Sequence, residues 1–285
     1  MAYSQPAHAT KHFPRLVCPF ASSSFTLSQR ADGVSNGTAL WLSAQCLAMY
    51  LAHNLPRSLN ANRRRPRALE LGSGIGFTAW AFCCTSCPFH LGFTLISRLA
   101  LASLGWDVLA TDIPHVIQSV LKNNVTDNLT ALPPNSGTVQ VRELDWFVSP
   151  ANWTWDHKAI ISHSSPLIPA STSTSCPLLC PPFDLIISAD TVYASELVEP
   201  FLRTLYTLST LSTSISSRPP PIFLCVERRD SLLLDRLLAD ASEKWKFLVE
   251  RIPHKKLARS LGKSGVHWES SDWDGVELWK LRLAS

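Results

Sequence analysis

The sequence predicts a doubly wound α/β fold, built around one open and mostly parallel sheet. The apolar stretch at residues 68–71 leads directly into a glycine-rich turn, as a buried strand does before a helix. Strand-like stretches then alternate with amphipathic helices along the chain. The last two strand-like stretches, 247–252 and 276–283, follow without a crossover pattern and indicate an antiparallel pair at the end of the sheet.

The composition indicates a soluble enzyme in a reducing compartment. The chain has 285 residues, enough for one large α/β domain with a buried core. Its net charge of +4 is too mild to argue for nucleic acid. No signal-peptide pattern opens the chain, so we expect its 8 cysteines to be reduced and the protein to be cytoplasmic. The most apolar window, 77–104, is interrupted by charged residues and proline, so no membrane partner is expected.

The domain organisation follows from the order of these patterns. We expect a loose segment at residues 1–24, then a single domain at 25–285. The predicted strands lie at 25–27, 68–71, 106–111, 138–144, 183–188, 222–226, 247–252 and 276–283, and the predicted helices at 40–51, 116–124, 196–211 and 232–245.

Two stretches do not fit this alternation and are interpreted as insertions. At 77–98, where a helix should follow the glycine turn, the chain has clustered cysteines, Pro88 and several aromatic residues, a composition that a translated intron would also give. The expected helix end comes only at 99–105, with Gly105 as its stop. At 149–182 the chain is rich in Ser, Thr and Pro, which predicts a surface excursion. Cys84-x-x-Cys87 has no second ligand pair at a useful spacing, so no metal site is predicted.

The glycine turn and the residues after the next two strands predict a ligand site. Three glycines at every second position allow a tight turn whose N–H groups can hold a polar group. Glu70 precedes the turn near the carboxyl end of the strand, where open α/β sheets bind ligands. Asp112, at the tip of the predicted strand 106–111, can accept hydrogen bonds from ribose hydroxyls, and Trp146 can stack on an adenine ring. An ordinary strand-to-helix turn with a solvent-facing acid remains the alternative.

A second candidate group follows the predicted strand 183–188. Asp190 and Tyr193 are three residues apart, just beyond a buried strand, so both side chains can face the same mouth beside Ala189. The alternative is a strand-end turn with a packed tyrosine.

The sequence resembles the class I methyltransferases in four motifs that follow one another in the expected order. They are residues 68–76, Asp112, residues 144–146 and Asp190-x-x-Tyr193. Among these enzymes, the sequence is most similar to the lysine methyltransferases of methyltransferase family 16, or the methyltransferase-like 21 group. Residues 37–41 look like that family's Gly-x-x-x-Trp element. Residues 273–281 add a similarity to the fungal methyltransferases of translation elongation factor 1-alpha.

The resemblance implies a seven-stranded Rossmann-like sheet and S-adenosylmethionine as the cofactor. It implies a monomer that methylates lysine in a protein, possibly elongation factor 1-alpha itself, and binds no nucleic acid. Asp190 and Tyr193 would form the family's motif at the lysine channel, and no metal is needed. The implied cofactor-binding residues are Trp41, Gly72, Ser73, Gly74, Gly76, Asp112, Trp146 and Ala189, with Glu70 supporting the glycine turn.

The residue types fit methyl transfer to an amine, in which the protein mainly positions the reactants and excludes water. The lysine must arrive neutral, and a carboxylate beside it would raise its pKa. Asp190 is therefore expected to orient the ammonium or its departing proton rather than to act as a strong base, and Tyr193 to hydrogen-bond the amine.

Other functions remain open at this point. The chain could methylate a small molecule or nucleic acid, although it has no Asn-Pro-Pro-Tyr-like motif before Asp190. It could be a non-catalytic binding module, disabled by the 77–98 insertion. A nicotinamide enzyme is a weaker alternative, because Asp112 lies far beyond the offset of about 20 residues that such enzymes show after their glycine motif.

Overall fold

The computed structural model describes residues 5–20, 23–30, 37–56, 64–80, 101–102, 104–132, 136–162 and 177–284. The strands within these residues are β1 (Arg15–Phe20), β2 (Ser23–Ser28), β3 (Arg67–Leu71), β4 (Asp107–Asp112), β5 (Val139–Glu143), β6 (Leu185–Ala189), β7 (Ile222–Glu227), β8 (Phe247–Arg251) and β9 (Val276–Leu283). The helices are α1 (Ala7–Thr10), α2 (Leu42–Asn54), α3 (Phe77–Trp80), α4 (Pro114–Val116), α5 (Lys122–Asn128), α6 (Val198–Ser216), α7 (Ser231–Glu243) and α8 (His254–Lys263). A π-helical segment, Ile117–Leu121, joins α4 to α5.

Seven of these strands form one sheet in the order β5-β4-β3-β6-β7-β9-β8. Neighbouring strands are parallel except where β9 pairs with β7 and β8. The order of connection reverses between β3 and β6, and open α/β sheets bind ligands at the carboxyl ends of strands at such a switch point. The predicted Rossmann-like seven-stranded fold with its antiparallel pair is confirmed.

The core lies in two layers because successive strand residues point to opposite faces of the sheet. On β3, Ala68 belongs to the cluster beneath α2, α5 and α8, whereas Leu69 belongs to the cluster beneath α6 and α7. Helices α6 and α7 are amphipathic and bury their apolar stripes in the cluster that contains Leu69. Helix α7 begins after Asp230, whose side chain caps it by accepting a hydrogen bond from the Leu233 amide at 3.0 Å.

The amino-terminal segment differs from the loose segment that the sequence predicts. Strands β1 and β2 form an antiparallel hairpin that pairs Arg15 with Ser28, and α1 precedes it. The hairpin is fixed to α5 by two carboxamides. The Asn124 Oδ1 accepts from the Ser28 amide at 2.8 Å, and the Asn128 Oδ1 accepts from the Thr26 amide at 2.9 Å. Both Nδ2 groups donate to the carbonyls of the same two strand residues at 2.9 Å.

This pairing works because the repeats of the two elements match. Four helical residues rise about 6 Å, and two strand residues rise about 6.6 Å. Two asparagines one helical turn apart therefore reach alternate residues of one strand edge.

The chain after the glycine turn differs from the prediction at its start. Phe77–Trp80 form α3 directly after the turn, with Phe77 and Thr78 buried, so the helix is not replaced from its first residue. Gly105 has a left-handed φ of +86°, but the described residues before it, 101, 102 and 104, form a turn rather than the predicted helix end. The remainder of the predicted insertion, residues 81–98 with Cys84 and Cys87, lies outside the described residues.

The described flanks of the second predicted insertion, residues 149–162 and 177–182, pack onto the sheet, and residues 163–176 lie outside the described residues. Ile161 and Leu179 are buried in the core. Arg142 of β5 is a fully buried arginine that bonds to these flanks. Its guanidinium donates to the Leu179 carbonyl at 2.6 Å, to the Trp155 carbonyl at 3.3 Å and to the Gln140 Oε1 at 2.9 Å. Burial lowers the pKa of Arg142 to about 10.

The carboxyl-terminal part also contains an element that the sequence analysis did not predict. Helix α8 packs Leu257 and Leu261, one turn apart, into the core beside α2.

The described part of the chain contains no helix with both the length and the apolarity that a membrane span requires.

The arrangement around Arg142 predicts a large stability effect. In Arg142→Met, the buried Leu179 carbonyl loses its donor, which costs about 1–3 kcal/mol for the group left unpaired, whereas the Gln140 Oε1 still accepts from the Leu179 amide at 2.8 Å. We expect urea denaturation to show a free energy of unfolding lower by at least the cost of one such group. The exposed Arg282 provides the control, because Arg282→Met should leave the unfolding curve nearly unchanged. Equal stability of Arg142→Met and the unchanged protein would show that Arg142 does not hold the flanks.

Candidate active site

A cavity of about 680 Å³ opens at the carboxyl ends of the central strands. Of the predicted site residues, all but Gly76 line it, namely Trp41, Glu70, Gly72, Ser73, Gly74, Asp112, Trp146, Ala189, Asp190 and Tyr193. Gly76 lies behind the lining, where its amide donates to the Ser73 carbonyl at 2.8 Å and closes the turn. Apolar side chains complete the walls, among them Ile75, Val116, Leu144 and Leu197.

The glycine turn needs glycine at the two positions that face other loops. Gly72 has φ +67°, and a Cβ there would lie 2.3 Å from the Thr191 Cγ2. Gly74 has φ +55°, and a Cβ there would lie 3.0 Å from the Gly37 carbonyl oxygen. L side chains rarely adopt such φ values, and neither contact leaves room for a methyl group. The turn therefore presents bare backbone to the cavity.

Asp112 joins the end of β4 to this turn. Its Oδ2 accepts from the Gly74 amide at 2.9 Å, and its Oδ1 accepts from the Ile113 amide at 2.8 Å. Burial raises the pKa of Asp112 to about 6, although these two hydrogen bonds act in the opposite direction. Beside it, the Ser73 amide donates to the Thr111 carbonyl at 3.0 Å, and the Ser73 Oγ accepts from the Thr111 amide at 3.1 Å.

Trp146 provides an aromatic wall. Its ring packs at a tilt against Phe201, with the centroids 5.0 Å apart, and Arg203 donates to its carbonyl at 2.6 Å. Ile113 and Phe147, also in the lining, are 44% and 58% exposed. The rim of the cavity is therefore apolar on this side, and a flat apolar group can lie against the Trp146 wall.

Asp190 and Tyr193 have different surroundings within the cavity. The Asp190 side chain is 10% exposed. Its carboxylate accepts from the Ser43 hydroxyl of α2, and from the Glu227 amide at 2.8 Å. Burial raises the pKa of Asp190 despite these hydrogen bonds and the nearby Arg229. Tyr193, by contrast, is 59% exposed at the mouth. The buried acid is thus held rigidly, whereas the tyrosine faces solvent.

The structure adds residues that the sequence analysis did not identify. Besides Ser43, these are Glu227 and Arg229, which line the cavity at the end of β7. The Arg229 guanidinium pairs with the Glu227 carboxylate and lies 3.9 Å from the Asp190 Oδ2. The sequence signal that could have identified this part of the site is Glu227-Arg228-Arg229, directly after the predicted strand 222–226. Among the described residues, no His, Cys, Asp and Glu side chains cluster as a metal site does.

The glycine turn makes a direct prediction. Gly72→Ala introduces both a left-handed alanine and the clash with Thr191, which cost about 1–2 and 1–3 kcal/mol respectively. We expect chemical denaturation to show a loss within the sum of these ranges. Gly262→Ala is the matched control, because Gly262 in α8 has no atom within 4 Å of the new methyl group. That variant should be as stable as the unchanged protein or more stable by about 1 kcal/mol, since alanine favours helix. A Gly72→Ala protein as stable as the control would contradict the assigned backbone geometry.

Comparisons with known proteins agree with this geometry. The model of a lysine methyltransferase family matches residues 20–158, just under half of the chain. The protein-lysine N-methyltransferase rrg1 of Schizosaccharomyces pombe is 28% identical over 147 residues, which are 48% of this chain and 40% of that relative. The chain thus matches less than half the length of this curated relative.

The solved structures that align with this chain share little sequence with it and have low TM-scores. A Streptococcus mutans protein described as a SAM-dependent methyltransferase aligns over 95% of this chain and 56% of its own, with 9% identity and a TM-score of 0.45. A methyltransferase from Pyrococcus furiosus aligns over 82% of this chain and 79% of its own, with 12% identity and a TM-score of 0.40. The fold assignment therefore rests on the strand order of the sheet and not on these structures.

Proposed function

We propose that this protein is an S-adenosylmethionine-dependent protein-lysine N-methyltransferase. The observation that carries the proposal is one cavity lined by the glycine turn and Asp112 on one side and by Asp190 and Tyr193 on the other. The matched lysine methyltransferase family and the name of the fission yeast relative support the same activity. Because these matches cover only part of the chain, the substrate class belongs to the proposal.

The residues present fit the cofactor. A volume of about 680 Å³ lies within the range of about 300–1,000 Å³ that is typical of small-molecule sites. The bare backbone at Gly72 and Gly74 allows close approach, Asp112 offers carboxylate oxygens to hydroxyls, and Trp146 offers a ring face. When bound, S-adenosylmethionine supplies a methyl group on a sulfonium and needs no metal.

The residues on the other side position the amine. Asp190 lies at the cavity in a fixed orientation, because Ser43 and the Glu227 amide hold its carboxylate. A partly dry cavity lowers the pKa of an entering lysine, whereas the carboxylates of Asp190 and Glu227 raise it. We infer that the acids orient the ammonium as it enters, and that the exposed Tyr193 lines the mouth and hydrogen-bonds the amine.

The protein substrate is a further part of the proposal. Translation elongation factor 1-alpha is proposed from the similarity at residues 273–281. In the structure this stretch forms most of β9, and Trp273 stacks on His254 with centroids 4.2 Å apart. These contacts are those of a packed strand and a packed ring, so the proposal of this substrate rests on the sequence similarity alone. A monomeric state and a cytoplasmic location are kept as proposals from the sequence.

The raised pKa of Asp112 predicts a pH dependence of cofactor binding. An ionised carboxylate accepts hydrogen bonds from hydroxyls, so affinity should be complete above the pKa of about 6 and fall as the pH drops through it. Calorimetric titration with S-adenosylhomocysteine between pH 5 and 8 measures this, with a limiting slope of about tenfold per pH unit. Asp112→Asn should bind more weakly and lose the acid-side slope. A pH-independent affinity in the unchanged protein would argue against ribose binding by Asp112.

Substitutions on the lysine side of the cavity should lower the rate of methyl transfer without lowering the affinity for the cofactor. Asp190→Asn should slow methyl transfer by an amount comparable with losing a positioned polar group, about 2–4 kcal/mol. Tyr193→Phe should cost less, because only the hydroxyl is lost. Neither should change the affinity for S-adenosylhomocysteine greatly. The exposed Asp274 lies outside the cavity lining, so Asp274→Asn is the control.

The assay follows labelled methyl groups from the cofactor into purified elongation factor 1-alpha and into fungal extract. Label on lysine in protein supports the proposal, and label only in small molecules or nucleic acid would favour another methyltransferase class. Failure of the unchanged protein to bind S-adenosylhomocysteine would favour a non-catalytic binding module. Full activity in Asp190→Asn would remove its assigned role.

A further inference from the structure

Arg229 occupies a site with the features of a cation-binding site. Its guanidinium carbon lies 4.5 Å from the centroid of the Trp41 ring. The same guanidinium pairs with the Glu227 carboxylate and lies 3.9 Å from the Asp190 Oδ2. A second cation, the Lys11 Nζ, also lies 4.5 Å from the Trp41 centroid. The indole face and the two carboxylates are called the indole–carboxylate site below.

This site offers the interactions that a lysine ammonium uses. Carboxylates form charge-assisted hydrogen bonds with its N–H groups, and an indole face attracts its charge. Each methyl group added to the nitrogen removes one N–H donor but keeps the positive charge. Quaternary ammonium groups are accordingly recognised by aromatic faces. The site therefore suits an amine before and after methylation.

Arg229 is not required to hold this part of the fold together. Asp190 is already fixed by the Ser43 hydroxyl and the Glu227 amide. The Arg229 side chain is 50% exposed, and exposed ion pairs contribute little to stability. Its neighbour differs in this respect. Arg228 pairs with Glu277 at 2.9 Å and with Asp235 at 3.0 Å, and it does not line the cavity.

We propose that Arg229 is a specificity-determining residue that occupies, in the free protein, the place of the substrate ammonium. An entering lysine displaces it from Glu227 and Trp41, and the two acids exchange one cation for another. Only a cationic side chain can repay the loss of the Arg229 contacts, so neutral side chains are rejected. The inference rests on the proposed function, because that function supplies the lysine.

The test measures binding of a cationic probe to the full chain, with and without S-adenosylhomocysteine. The probe is the methylamide of Nα-acetyl-trimethyl-lysine, and Nα-acetyl-norleucine methylamide is its neutral counterpart. Binding is followed by NMR through the indole N–H of Trp41, assigned with Trp41→Phe. We expect Arg229→Gln to bind the cationic probe at least fivefold more tightly than the unchanged protein. Arg229→Lys, which keeps a resident cation, should bind it about as the unchanged protein does.

Two further variants separate the proposal from a general charge effect. Arg236→Gln removes one positive charge from α7, away from the cavity lining, and should leave the probe affinity unchanged. Glu227→Gln should weaken binding of the cationic probe. The neutral counterpart should bind none of the variants measurably. In the unchanged protein, the Arg229 Nε–H resonance should shift when the cationic probe is added.

The outcomes distinguish the inference from the function on which it rests. Unchanged or weaker probe binding by Arg229→Gln, or failure of that variant to fold, would overturn the inference. A loss of S-adenosylhomocysteine affinity in Arg229→Gln would instead assign Arg229 to the cofactor and overturn it as well. If the unchanged protein binds the cationic probe but no S-adenosylhomocysteine, the proposed function fails while the cation site stands.

Discussion

The whole cavity depends on how closely three loops approach one another at the carboxyl end of β3. Glycine is present where they meet. A Cβ on Gly72 would run into Thr191 after β6, and one on Gly74 would run into the backbone of Gly37 before α2. A Cβ on Gly37 would in turn lie 3.2 Å from the Val116 Cγ2. Interiors are packed too densely to absorb such contacts without backbone shifts. The loops can therefore form one continuous floor only with these small residues.

The second constraint is electrostatic, because the cavity brings acids together in partly buried surroundings. Burying a carboxylate is costly unless hydrogen bonds replace its water. The Asp112 carboxylate accepts hydrogen bonds from two backbone amides, and the Asp190 carboxylate accepts them from one amide and from the Ser43 hydroxyl. The pKa of each carboxyl is raised nevertheless, so the compensation is incomplete. Burial also raises the pKa values of Cys46 and Cys225 near Asp190, which keeps both thiols neutral and adds no further charge.

The elements with a strong local pattern could be predicted from the sequence, and those that depend on distant partners could not. The seven strands of the sheet have apolar or alternating patterns, and their alternation with helices predicts a mostly parallel sheet, whereas the order of the strands comes from the structure. Strand β1 was missed because it pairs only with β2, and β2 is itself held by α5, about a hundred residues further along the chain. Helix α8 has a readable signal in Leu257 and Leu261, one turn apart, but the sequence analysis assigned no element between residues 252 and 276.

The site shows the same division between local and distant signals. The predicted residues, all but Gly76, meet at one cavity because parallel strands place their carboxyl ends at one edge of the sheet. Their partners could not be predicted, because Ser43 and Arg229 approach Asp190 from other elements. Arg142 was equally hidden, since three separated acceptors hold one buried arginine and no short motif encodes them.

The amino-terminal segment is best understood as part of the site rather than as an appendage. Asn124 donates to the Ser28 carbonyl of the hairpin and to the Ile75 carbonyl of the glycine turn, at 2.9 and 3.0 Å. After the hairpin, the Gln29 side chain accepts from the Leu40 amide at 2.9 Å. These bonds fix both ends of the path that leads from β2 to Trp41. The indole face in the cavity is thus positioned by a hairpin of which the sequence predicts only the second strand, at 25–27.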